Sequence, residues 1–123
     1  MNFWLLVGAL NGFVAVAAGA FGAHGLDGRV DPLLLAAFET GAHYHLVHAL
    51  AIIAAGYVAT VADPRRANLA GWLFLSGIVL FSGSLYFMGV AQSYALVLVT
   101  PVGGVLLLAG WIALAAAALR PKV

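Results

Sequence analysis

Four long apolar stretches separated by short polar segments constrain this chain more than any other feature. They cover about residues 3–22, 32–60, 68–88 and 94–119 of the 123-residue sequence. A helix of about 20 apolar residues crosses the ~30 Å hydrocarbon core of a bilayer. Only 7% of the residues are charged, whereas roughly a quarter are in a soluble domain. The sequence therefore predicts an integral membrane protein with one transmembrane domain over residues 1–123, embedded in the lipid bilayer.

The connections between the four stretches are short and contain turn residues, so consecutive helices should lie antiparallel. The predicted fold is all-α, an antiparallel four-helix transmembrane bundle. Asp31 followed by Pro32 is a cap-and-proline signal for the start of the second helix. Thr100 and Pro101 interrupt the fourth stretch, so its helix either begins at Pro101 or is kinked there. The apolar segment "ALVLV" before them favours the kink, because water is a poor solvent for it.

Basic residues set the expected orientation. Arg65 and Arg66 lie between the second and third stretches, and Arg120 and Lys122 follow the fourth. Only Arg29 lies on the other side of the bundle, so the positive-inside rule predicts an inner (plasma) membrane protein with both termini in the cytoplasm. The segment "AVAAGA" resembles a signal-peptide cleavage site, but no basic residue precedes the first apolar stretch.

Small residues spaced four or seven apart occur in the first and last stretches. Gly8 and Gly12 share one side of the first helix, and Gly103 and Gly110 share one side of the fourth. Such residues let helix backbones approach closely in lipid. They predict packing within the chain, with a homo-oligomer through the same small-residue faces as the alternative.

Composition also excludes several function classes. The net charge of +1 offers no basic surface for nucleic acid. The absence of cysteine excludes disulfides, thiolate metal sites and iron–sulfur clusters. No cofactor is predicted.

The titratable residues are concentrated in "FETGAHYHLVHAL", residues 38–50. Helical periodicity places Tyr44 and His48 on one stripe, while Glu39 and His43 share a nearly opposite stripe, where the two could pair. Polar residues of the other stretches fall at similar depths in the outer half of the membrane, which predicts an outward-facing polar pocket around His48. The candidate ligand-binding residues are Asn11, His24, Tyr44, His48, Ser82, Ser84 and Thr100.

His48 is the only histidine of the cluster that lies well inside the predicted hydrocarbon region. Because an unpaired polar group in lipid costs several kcal/mol, we expect its ring to face the bundle and bond to the first or third helix. A structural hydrogen bond is the expected role, and binding of a ligand, ion or proton is the alternative. We expect His43 to face outward or to pair with Glu39.

Metal binding and catalysis are weaker interpretations of the same residues. His45 and His48 are three residues apart, and His24 or Glu39 could add ligands suited to zinc or copper, but no HExxH spacing is present. Ser82 or Ser84 with His48 as base has no strand-to-helix elbow and no third member. We therefore expect a protein that is not an enzyme.

Four blocks of the sequence resemble one family along nearly the whole chain. They are "GAFGAHGL", "TGAHYHLVHALAI", "LFSGSLY" and "TPVGGVLLLAGW". The chain resembles the YgdD/YwdK-like family of small inner-membrane proteins, which implies a four-span membrane protein and no known activity. His43 and His45 lie outside the family pattern, which directs attention to His48.

Two functions remain open at this stage. The first is a non-enzymatic scaffold or accessory protein whose polar cluster holds the helices together. The alternative is a binding or transport protein for a small polar ligand, a cation or a quinone-like molecule at the pocket around His48.

Overall fold

Four long helices make up almost the whole protein. The computed structural model describes residues 1–121. Each helix is long and apolar enough to cross a membrane, and the predicted all-α fold is confirmed. The helices are α1 (Phe3–Phe21), which continues into a π-helical turn (Gly22–Leu26), α2 (Pro32–Val61), α3 (Pro64–Ala91) and α4 (Val99–Ala118).

An aspartate followed by proline starts both central helices. The Asp31 carboxylate accepts a hydrogen bond from the backbone N–H of Leu33, as the sequence predicted for α2. Asp63 caps α3 in the same way, so α3 begins at Pro64 rather than near residue 68. The turn residues of this segment predict a loop, although it carries the same cap-and-proline signal.

The fourth helix begins two residues before Pro101, so the predicted kink is wrong. Pro101 lies in the first turn of α4, where its missing N–H would have no partner within the helix. Residues 94–98 form turns before it, with Leu98 81% exposed. The 20 residues that remain helical are still enough to cross the hydrocarbon core.

The packing is centred on α2 and α3, which contact each other along most of their length. Helix α1 lies on α2, α4 lies on α3, and α2 touches α4 only locally. The main apolar core lies between these helices and includes Trp4, Ile52, Phe74 and Leu107. The limited contact between α2 and α4 leaves a groove between these two helices.

Close approaches confirm packing within the chain for Gly8, Gly103 and Gly110, whereas Gly12 makes no close approach. A Cβ on Gly8 would overlap Ile53 of α2, and one on Gly103 would overlap the backbone of Phe81 in α3. A Cβ on Gly110 would lie 2.6 Å from the Phe74 ring. Gly19 has open space around it and makes no such contact.

One end of the bundle carries most of the basic residues and is closed by polar contacts. Trp4 Nε1 donates to Asn68 Oδ1 at 2.7 Å, which ties α1 to α3. Arg66 pairs with Asp63 at 3.4 Å and donates to the carbonyl of Ala116 at the end of α4. Lys122, which was counted among the basic residues of this end, lies outside the described residues.

Candidate functional site

His45 joins three helices in the middle of the bundle. Its Nε2 lies 2.9 Å from Asn11 Oδ1 in α1, and its Nδ1 lies 2.8 Å from the Tyr86 hydroxyl in α3. Because Asn11 Oδ1 is only an acceptor, Nε2 carries the proton and donates to it. In the neutral ring, Nδ1 then accepts from the Tyr86 hydroxyl. The Asn11 amide nitrogen in turn donates to the Val7 carbonyl, so the chain of bonds is complete.

Sequence reasoning treated His45 only as a weak metal candidate and missed this role. The ring is 4% exposed and both of its nitrogens are used. The signal was available, since an asparagine and a tyrosine at similar depth on neighbouring helices each require a partner in lipid. We call Asn11, His45 and Tyr86 the α1–α2–α3 network.

His48 lies about one turn farther along α2, about 60° around the helix from His45, and it faces α4. Its Nδ1 donates to the carbonyl of Tyr44 at 2.7 Å, and its Nε2 accepts from Trp111 Nε1 at 3.0 Å. The ring is 4% exposed, so the prediction that it points into the bundle is confirmed. The predicted partner on the first or third helix is wrong, because a tryptophan N–H inside α4 also needs an acceptor and His48 supplies it.

The hydroxyl groups serve contacts between neighbouring helices. Ser82 donates to the carbonyl of Gly41 at 2.8 Å, which joins α3 to α2. Ser84 donates to the carbonyl of Phe81 in its own helix and shares a hydrogen bond with Thr100 of α4. None of these three hydroxyl side chains lines the cavity beside His48.

The remaining histidines are exposed and separate from both sets of contacts. His24 lies in the π-helical turn at one end of the bundle. His43 is exposed on α2, which confirms the first of its two predicted placements, and the alternative pair with Glu39 is not found among the described residues. Within residues 1–121 the ion pair found is that of Arg66 with Asp63. The candidate residues therefore do not form the single polar pocket that was expected. They lie at several separate helix interfaces.

A cavity of about 530 Å³ lies beside His48, between α2 and α4. Of the candidate residues, only Tyr44 and His48 line it, and their rings are nearly parallel with centroids 6.1 Å apart. The wall is otherwise apolar and comes mostly from α4. The lining residues are Tyr44, Val47 and His48 of α2, Phe81 of α3, and Pro101, Gly104, Val105, Leu107, Leu108 and Trp111 of α4.

The arrangement gives no support to a metal site at His45 and His48. Their four ring nitrogens already bond to Asn11, Tyr86, Trp111 and the carbonyl of Tyr44. In the part of the chain that the structure describes, no three histidine, aspartate or glutamate side chains converge on one point.

Comparison with known proteins matches nearly the whole chain. Residues 18–104 match the family described as "Protein of unknown function (DUF423)". The chain is 41% identical to the UPF0382 membrane protein YwdK of Bacillus subtilis, with 98% of each chain covered. It is 41% identical to a UPF0382 membrane protein of Staphylococcus epidermidis, again over 98% of each chain. A UPF0382 membrane protein of Haemophilus influenzae is 40% identical over 98% of this chain and 97% of its own. No solved structure matches.

Proposed function

The chain belongs to the DUF423 family of membrane proteins, as its YwdK-like sequence blocks predicted, and we propose a role for it. That role is a non-enzymatic scaffold or accessory protein. The polar side chains within the spans fix the positions of the helices relative to one another. They are not the binding groups of a polar ligand.

One observation carries this proposal. Across residues 1–121, every buried side-chain nitrogen or oxygen has a hydrogen-bond partner inside the protein. A site that captures a polar molecule from lipid or water keeps donors or acceptors free for it, since a buried polar group without a partner is costly. The polar residues here already satisfy one another.

The transport and polar-ligand alternative finds little support in the same contacts. Both nitrogens of His48 are engaged, and the cavity beside it is almost entirely apolar. A cation would need oxygen or nitrogen ligands at that position. A catalytic role for Ser82 or Ser84 also finds no support, because both hydroxyls donate to backbone carbonyls and neither bonds to a histidine.

The charge distribution supports an orientation with both termini in the cytoplasm. Arg65, Arg66 and Arg120 lie at one end of the bundle together with the start of α1, and Arg29 lies at the other end. Basic residues near membrane spans remain preferentially on the cytoplasmic side. We place the protein in the inner (plasma) membrane on this basis.

Purified protein in sealed phospholipid vesicles tests the proposal. We expect proton, sodium and potassium gradients to decay at the rate of protein-free vesicles. A faster decay that His48→Gln abolishes and His43→Gln preserves would replace the scaffold by a transport function. His43 is the matched control because it is exposed on the same helix. A polar small molecule that co-purifies with the wild type and is lost only in His48→Gln would also overturn the proposal.

A further inference from the structure

The cavity beside His48 is an elongated groove that follows α4. Its lining runs from Pro101 to Trp111, eleven residues whose ends lie about 15 Å apart along the helix. Its rim is open, since Val105 is 64% exposed and Leu108 is 66% exposed. Between α2 and α4 the groove therefore opens sideways, toward the hydrocarbon of the membrane.

Water is a poor occupant of this groove. A buried water needs two to four polar partners, and the lining offers almost none. His48 and Trp111 use their ring nitrogens on each other and on the Tyr44 carbonyl. An unfilled groove would forfeit the dispersion contacts of its aromatic and aliphatic walls. A hydrocarbon chain supplies those contacts without requiring hydrogen bonds.

A transmembrane helix from a second copy is too wide to be seated in this space. A helix with its side chains is about 10–12 Å across, so a 15 Å length fills about 1,200–1,700 Å³. The groove, at about 530 Å³, can take side chains of a neighbouring helix but not the helix itself. Its size and shape fit a narrower, linear occupant.

The outer end of the groove is placed to hold the polar end of such a molecule. Tyr44 lies 17 residues before Val61, the cytoplasmic end of α2, which puts it about 25 Å along the helix. That position is about 5 Å below the outer boundary of a 30 Å hydrocarbon core. The Tyr44 hydroxyl takes no part in the bonds of His45 or His48 and is free to donate outward.

We propose that the groove between α2 and α4 binds one acyl chain of an outer-leaflet phospholipid. The acyl chain lies along α4 from Pro101 to Trp111. The Tyr44 hydroxyl donates to the ester carbonyl at the end of the acyl chain that is nearest the outer surface. The bound molecule is a resident lipid and differs from the exchanging lipid around the rest of the bundle. This inference goes beyond the scaffold role and does not depend on it, while the assignment to the outer leaflet rests on the proposed orientation.

Photo-crosslinking in vesicles tests the site. The probe is a phosphatidylcholine with a diazirine on one acyl chain, and mass spectrometry maps the labelled residues. Phe13 of α1 is the depth-matched reference, because it is 74% exposed and lies two residues beyond Asn11, the partner of His45. We expect Tyr44 and Val105 to be labelled roughly tenfold more than Phe13, the ratio that about 1.4 kcal/mol of preference produces.

A matched pair of variants separates the groove from the general lipid surface. Gly104→Leu fills the groove, and its Cβ has room because the nearest atom of Phe81 is 3.6 Å away. Gly19→Leu adds the same side chain to open space on α1. We expect only Gly104→Leu to reduce groove labelling to the level of Phe13. Val105→Phe gives a second way to fill the groove if Gly104→Leu does not fold.

Two results would overturn the inference. Equal labelling of the groove and Phe13 in the wild type would mean that only exchanging lipid enters. An unlabelled groove in the wild type would mean that no acyl chain enters it. Neither result bears on the ion-gradient test of the scaffold role.

Discussion

Replacing His45 by leucine tests whether the α1–α2–α3 network stabilises the bundle. The change introduces an apolar side chain of similar size and removes the bonds to Asn11 and Tyr86. Hydrogen bonds between membrane helices contribute about 0.6 kcal/mol on average and up to about 1.7 kcal/mol. Two of them give about 1.2 to 3.4 kcal/mol. We therefore expect His45→Leu to lower the free energy of unfolding by about 1–3 kcal/mol.

The measurement is equilibrium unfolding in mixed micelles with increasing dodecyl sulfate, followed by far-ultraviolet circular dichroism. His43→Leu is the control, because His43 is exposed on the same helix and is expected to change stability by less than about 0.5 kcal/mol. The triple variant Asn11→Leu, His45→Leu, Tyr86→Phe removes every member of the network. It should recover part of the loss, since no buried group is then left without a partner. A His45→Leu variant as stable as His43→Leu would refute the reasoning.

Three further predictions use the same protein. Gly103→Ala should lower the unfolding free energy by about 1–3 kcal/mol because its Cβ would overlap the Phe81 backbone, whereas Gly104→Ala should be nearly neutral in the same unfolding assay. Trp4→Phe removes the bond to Asn68 and should cost about 0.6–1.7 kcal/mol, against little change for the 55% exposed Trp72 replaced by Phe. The chain has no cysteine, so Arg29→Cys should react with an impermeant maleimide in intact cells and Arg65→Cys only after permeabilisation. The reverse labelling pattern would invert the proposed orientation.

The fold was largely predictable because each helix carries its own signal. Four apolar stretches of membrane length fixed the class, and Asp31 with Pro32 marked the start of α2. The start of α3 was misplaced because the segment is rich in turn residues and the same signal at Asp63 and Pro64 was not recognised. The start of α4 was misplaced because residues 94–98 are apolar yet form turns, and hydropathy cannot distinguish the two.

The site was less predictable because depth along a helix does not specify direction around it. His48 and Ser82 lie at similar depth, but His48 turns toward α4 and bonds to Trp111, while Ser82 turns toward Gly41 of α2. Helical periodicity gave the angle between His45 and His48, but it could not say which neighbour each would meet. That choice depends on how α1 and α4 are placed around α2, which follows from close contacts such as Gly8 with Ile53.

Hydrogen bonds between helices contribute most to the position of a helix where apolar packing is weakest, which here is α1. In lipid the hydrophobic effect does not drive helices together, so close packing and hydrogen bonds must do so. Helix α1 is the least buried of the four helices. Within the apolar stretch that crosses the membrane, 17% of α1 is buried, compared with 44% of α3. It is joined to the rest by Trp4 with Asn68 near one end and by Asn11 with His45 farther along. Two such bonds, separated by two helical turns, act together with close contacts such as Gly8 with Ile53 to define the position and the rotation of α1.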